Sequence, residues 1–223
     1  MLKLNLQLHS APGSLSALRE ATFDNLQLNC GIFIKDFVYT GTGAPANAEA
    51  LLTLVKAIIA GTNTTSGELL GVTRGGGTFN VGREMRDPDI DGLRYKFKGG
   101  VFVDSADPYL STTLVETTPE NFAMALGGTA TTSGKITTVK MNTAITDDSY
   151  MTNLCWVGDL ADGKLVLINL KNALNTADIT FTFQDKSEGA LSVEFHACQD
   201  EVDDYDEAPF EIVFFDHATT QSP

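Results

Sequence analysis

Along much of the chain, apolar and polar residues alternate with the two-residue period of a strand that buries one face. Ile179, Phe181 and Phe183 alternate with Thr180, Thr182 and Gln184, and Leu191, Val193, Phe195 and Ala197 alternate with Ser192, Glu194, His196 and Cys198. Residues 31–38 and 210–215 are rich in β-branched and aromatic residues and read as strands. Two further runs, 154–158 and 164–170, flank Asp162-Gly163, a hairpin turn signal. In the second run Leu165, Val166, Leu167 and Ile168 are continuous, which predicts a strand covered on both faces. Leu93, Tyr95 and Phe97 alternate with Arg94, Lys96 and Lys98, predicting a strand with one apolar and one basic face. Many short strands separated by turn residues indicate a sandwich or barrel.

Two segments switch to helical spacing. Asn47 is placed to cap a helix running to Ala60, with Gly61 beyond its end and Leu51, Leu52, Val55, Ile58 and Ile59 as its apolar stripe. Thr118-Pro119-Glu120 is a second start: the hydroxyl caps, proline fits the first turn and the acid faces the helix dipole. Phe122 and Leu126 then lie one above the other, and Gly127 ends the element. The glycines of Val72-Thr73-Arg74-Gly75-Gly76-Gly77-Thr78-Phe79 permit positive φ and close backbone approach. Between strands they predict a sharp bend or a tight subunit contact. Residues 1–22 read as an arm, whose Leu2, Leu4, Leu6 and Leu8 suit a strand added to a neighbouring sheet. The organisation expected is an arm (1–22), a β-domain (23–217) with an inserted loop and helix (40–67), and a short tail (218–223).

Charge narrows the partners. With 15 basic and 29 acidic residues the net charge is −14, which opposes binding to nucleic acid by phosphate neutralisation. An acidic surface still suits a path along which DNA slides without sticking. Cys30, Cys155 and Cys198 are an odd, widely spaced set without a CxxC pair. They fit a reducing compartment and read as buried small apolar residues. No stretch approaches the ~20 apolar residues of a membrane span, and the first residues alternate rather than forming the apolar run of a secretory signal.

Several strings fall short of a chemical motif. Asp87-Pro88-Asp89-Ile90-Asp91-Gly92 starts like an EF-hand loop, but Lys98 stands where a bidentate Glu is needed. The segment 128–135 (GTATTSGK) is one residue too long for a phosphate loop, with Ile136 in the place of the magnesium-binding hydroxyl, and reads as a flexible connection. His9, His196 and His217 accompany no GxSxG or HExxH pattern. The acidic run from Asp200 to Glu207 reads as a solvated loop between strands. No nucleophile, base and oxyanion donor assemble, so neither an enzyme nor a cofactor or metal site is expected.

One ordered set of strings resembles a known family. The segments GVTRGGGTFNVGREMRDPDIDGLRYKFKGG (71–100), STTLVETTPENF, LCWVGDLADGKLVLINLKNALNT (154–176) and FHACQDEVDDYDEAPFEIVFF resemble the tail tube proteins of long, non-contractile-tailed bacteriophages and prophages. The resemblance implies a mainly β fold, a sandwich or barrel type with a flanking α-helix after Thr118 and an extra helix in the inserted loop. It implies a structural virion protein whose hexameric rings stack into a tube conducting DNA, made in the host cytoplasm and kept in the tail. Its partners would be further copies of itself, a tail-tip initiator, a tape-measure protein and a tail-terminator, with DNA passing unbound through the lumen and no membrane involved. The arm and the 40–67 insert become candidates for contact between rings. The rivals are a tube protein of a secretion or bacteriocin apparatus, a carbohydrate-binding β-sandwich and a hydrolase using the acidic loop.

The acidic surplus would then face the lumen, leaving Arg83, Arg86, Arg94, Lys96 and Lys98 as candidates for pairing with acids of a neighbouring subunit. Charge reversal at Arg94 and Lys96 is expected to impair self-association, read by electron microscopy; unaffected assembly would contradict that role.

Overall fold

The computed structural model describes residues 22–27, 29–41, 44–92, 94–200 and 207–218. The arm leucines and most of the acidic run and tail lie outside these residues. The described chain is mainly β and antiparallel, with two helices.

The strands are β1 (Ile32–Lys35), β2 (Glu68–Leu69), β3 (Thr73–Arg86), β4 (Phe102–Leu114), β5 (Gly128–Ser133), β6 (Ile136–Met141), β7 (Met151–Asp159), β8 (Leu165–Asn175), β9 (Thr180–Gln184), β10 (Ser187–His196) and β11 (Phe210–Phe215). Helix α1 spans Ala48–Ile59 and α2 spans Pro119–Ala125. Nine strands form one hydrogen-bonded sheet that folds on itself: β2-β1-β7-β8 continue into β10-β4-β3, with β11 on β8 and β9 on β10. Strands β5 and β6 make a separate hairpin.

The fold point is in β8. Its first part pairs with β7 and β11, whereas Leu174 and Asn175 pair with β10. Asn172, with φ +46°, lies just before the change of partner. A left-handed residue re-aims the strand, and asparagine tolerates that conformation better than most. In consequence Leu170 and Ala173, three residues apart, both join the core between the two layers. That core takes Phe33, Leu154 and Leu170 from the first layer and Leu110, Leu114, Leu191, Val193 and Phe195 from the second.

The opposite face of the first layer is also covered. Cys155, Val157, Leu165 and Leu167 pack with Leu51, Val55 and Ile58 of α1. This explains why the β8 run is continuously apolar. The helix of the 40–67 insert is therefore a third layer, and Leu51 is fully buried. Asn47 caps α1 as expected, its Oδ1 accepting from Ala50 N at 2.9 Å, and Thr118 caps α2 through Asn121 N at 3.1 Å. Leu52 and Ile59, read as part of the buried stripe, are instead exposed beside a hollow of about 360 Å³.

Side chains extend the ladder where the backbone stops. Asp36 (φ +52°) ends β1, and the Asn153 amide then takes over, accepting from Phe37 N at 2.7 Å and donating to Phe37 O at 3.0 Å. Buried Asn169 donates to the Tyr39 hydroxyl at 2.6 Å and accepts from the Cys155 thiol at 3.2 Å. Burial pushes both the Tyr39 hydroxyl and the Cys155 thiol far above their ordinary values, so both stay protonated at neutral pH. Among the described residues, no buried side-chain polar atom lacks a partner.

Four expectations are corrected. Of residues 93–98, Leu93 lies outside the described residues, and 94–98 are not a strand but part of the loop between β3 and β4. Positive φ at Gly92 and Gly99 breaks extended pairing, Gly100 N bonds back to Phe97 O, and Tyr95 and Phe97 are exposed. The segment 128–135 is not a connection but strand β5 with the turn into β6, Gly134 taking φ +64°. The glycine segment lies not between strands but inside β3. There the register passes from Thr73 opposite Leu114 to Gly77 opposite Thr112, so two extra residues are absorbed as a bulge. Of the cysteines only Cys155 is buried; Cys30 is exposed and Cys198 half-buried.

Gly77 has a steric reason to be glycine. A Cβ there would lie 2.5 Å from Phe33 Cζ and 2.8 Å from Ser111 O. Gly77→Ala is expected to cost about 2 kcal/mol in urea unfolding. Gly82→Ala, whose nearest neighbour is 3.7 Å away, should cost less than about 1 kcal/mol.

Candidate assembly surface

The second layer turns one face to the core and the other outward, and the alternation separates their chemistry. Leu110, Leu114, Leu191, Val193 and Phe195 point in. On the reverse side β4 presents Ser105, Asp107, Tyr109, Ser111 and Thr113, and β10 presents Ser192, Glu194 and His196. The register aligns Thr78 of β3 with Ser111, Asn80 with Tyr109 and Gly82 with Asp107, while on the other flank Thr180 of β9 lies opposite Ser192. None of these positions carries a leucine, isoleucine, valine or phenylalanine. The face is a field of hydroxyls, amides and carboxylates. A shallow trough of about 410 Å³ crosses it between the glycine bulge and β10.

His196 on this face is held by two acids, and Arg74 at the margin of the trough is paired with Glu188. His196 Nδ1 lies 2.6 Å from Asp107 Oδ1 and Nε2 lies 3.1 Å from Glu194 Oε1, while the ring stacks on Tyr109 at 5.2 Å. Burial alone would lower the imidazole's pKa, but the two carboxylates outweigh it and raise the value above the ordinary one. This is the hydrogen-bonded histidine that its place on the polar side of the strand implied.

Among the described residues, both lateral margins of this layer are open. Strand β3 pairs only with β4 over its 14 residues, and β9 pairs only with β10. Beyond the core, β3 and β4 continue as a two-stranded ribbon that ends in the loop of residues 87–101. Met85, Ile90, Tyr95, Phe97, Phe102 and Val103 are exposed there, Tyr95 at 85%. An apolar cluster on an exposed tip marks an interaction surface.

The five basic candidates belong to this ribbon and loop. Arg86 Nε bonds Asp104 at 3.1–3.2 Å across the ribbon, and its guanidinium lies 5.6 Å from the Phe102 ring centre. Lys96 pairs with Asp87 inside the loop. Arg83, Arg94 and Lys98 make no ion pair among the described residues, and all three are exposed. So the structure gives two of the five acidic partners within the chain and leaves three pointing outward. Sequence reasoning missed the polar face because it depends on β3–β4 pairing, and the N-terminal half of β4 has no clear alternation: Val103, Ser105 and Asp107 follow one another at two-residue spacing.

A second histidine ties the chain end to the body. His217 Nδ1 lies 2.9 Å from Glu49 Oε1 at the start of α1, and its Nε2 lies 2.9 Å from Asp162 O. The Glu49 bond raises its pKa too. A histidine with a raised folded pKa contributes stability that is full below its unfolded value near 6.5 and is lost as pH rises through the folded value. Stability is therefore expected to fall as pH rises past the unfolded histidine value of about 6.5 and through the raised folded values, with His196→Asn and His217→Asn each flattening part of that slope in urea titrations. An unchanged slope in His196→Asn would mean that the two carboxylates do not hold the imidazolium.

Compared with known proteins, the chain matches no family model and no curated protein.

Proposed function

We propose that this chain is a structural subunit of a viral tail tube, which closes into rings and stacks them into a conduit for DNA. The observation that carries this reading is the outward face of the second layer. Glu84, Asp107 and Glu194 sit there among hydroxyls, and the single imidazole is already engaged by acids. Such a surface is acidic on balance and opposes phosphates. It suits a wall past which DNA moves.

Two further features support assembly. The open margins of the layer are a liability in a lone subunit and are removed when neighbours close the sheet. The apolar ribbon tip lies away from the core, where it is free to meet an adjoining ring. Buried area there would rival an ordinary protein interface only if most of the tip were covered, which stacking of identical rings provides. On this reading a tail-tip initiator, a tape-measure protein and a terminator act at the ends and interior of the tube. The type of partner follows from the family resemblance, and the chemistry of the wall follows from the side chains.

Negative-stain electron microscopy of the purified chain, alone and with the tail-tip initiator complex, tests the reading. Rings or tubes with an open centre are the expected result. Small monodisperse particles under both conditions would overturn it.

A further inference from the structure

The segment after β11 is fastened across the start of α1. Ala48 N donates to Asp216 O at 2.9 Å, which satisfies one of the N–H groups that a helix leaves unpaired in its first turn. Ala218 N donates to Glu49 Oε2 at 3.0 Å, and His217 Nδ1 lies 2.9 Å from Glu49 Oε1. The other ring nitrogen, Nε2, lies 2.9 Å from Asp162 O in the turn between β7 and β8. One imidazole thus ties together three segments that are far apart in sequence. From this geometry we infer that residues 216–218 are a proton-locked strap, closed while His217 is an imidazolium and released from α1 and the β7–β8 turn when the proton leaves. The strap operates within one chain and needs no assembly.

The lock follows from what the two ring nitrogens face. Both face oxygen acceptors, one a carboxylate and the other a backbone carbonyl. Only the imidazolium carries an N–H on each nitrogen and can donate to both. A neutral ring keeps one bond and turns a lone pair toward the other oxygen, whichever tautomer forms. Glu49 cannot make up the loss by taking a proton, because its bonds from His217 and Ala218 hold its carboxyl below the ordinary value.

The charges around the ring set the direction of the switch. On α1 the facing group is Glu49, which offsets a helix N-terminus that by itself disfavours a cation. On the turn, Asp162 favours the imidazolium. Lys164 opposes it, but its ammonium is engaged by Asp162 at 3.4 Å and by Asp216 of the strap at 3.2 Å. Asp24 adds a further acid from the segment before β1, where its carbonyl accepts from Asp162 N at 3.3 Å. The bond to Glu49 is the largest cause of the raised histidine value. With the folded value raised, the strap is fully closed below the ordinary value of about 6.5 and opens as pH rises through the folded one. His217 and Glu49 are both exposed, so the opening is local and leaves the packed layers in place.

The test uses the full chain carrying carbon-13 in its alanine methyls and histidine rings, followed by NMR from about pH 5 to about pH 9. The Ala218 methyl is expected to lose order on the picosecond to nanosecond scale with the same midpoint as the His217 ring, while the Ala173 methyl in the core keeps its order. An Ala218 methyl that stays ordered through the His217 titration, or loosens at a different midpoint, would overturn the strap. Glu49→Gln should lower the His217 midpoint, and an unmoved midpoint would remove the lock. In His217→Asn the Ala218 methyl should no longer respond to pH; a response that survives would contradict the assignment. His196 titrates on the second layer, so the Ala218 response must persist in His196→Asn, and its loss there would sink the proposal.

Discussion

Everything in this fold leans on β8, which is buried on both faces and pairs along both edges. Leu165 and Leu167 face α1, while Leu170 and Ala173 face the second layer. Every other layer is positioned by reference to this strand. Its one irregular residue, Asn172, lets a single strand serve two layers, so the sandwich closes without a separate crossover. The energetic weight follows: truncating a fully buried leucine here costs about 2–5 kcal/mol, comparable with the whole stability of many domains.

That central strand also separates the two outer surfaces. Helix α1 takes the exterior of the first layer and hides its apolar residues. Among the described residues no helix covers the exterior of the second layer, which is polar from β3 to β9. The asymmetry is physical, not incidental. An uncovered sheet face in a single chain must be wettable, and this one is wettable with an acidic bias that opposes anions. The same absence of cover leaves its edges accessible, so one arrangement supplies both the polar wall and the margins of the proposed ring.

Much of this was legible in the order of residues. Continuous Leu165 to Ile168 announced a strand with two covered faces, and Asn47 and Thr118 marked the helix starts that the structure shows. Alternation in 191–196 separated core from surface correctly, and so placed His196 outside. What escaped reading depended on distant partners. The bulge at Gly75–Gly77 is defined by β4 and by Phe33, far along the chain, so glycines alone suggested a bend. Residues 93–98 carry a strand's pattern, but Gly92, Gly99 and the exposure of Tyr95 and Phe97 overrule it over 94–98. Strands β5 and β6 are threonine-rich and largely exposed, so no hydrophobic period announced them. The charge partners of Arg86 and Lys96 likewise became visible only once β3 and β4 were placed side by side.

The ribbon of β3 and β4 extends well past the core and ends in one apolar tip. Such a projection gives the body a front and a back. Any column built by seating that tip against the preceding unit inherits a direction, with tips outward at one terminus and their receiving surfaces bare at the other. Its two termini are then chemically unlike, so growth and capping require different companions, and the order of construction is written into the shape of one subunit.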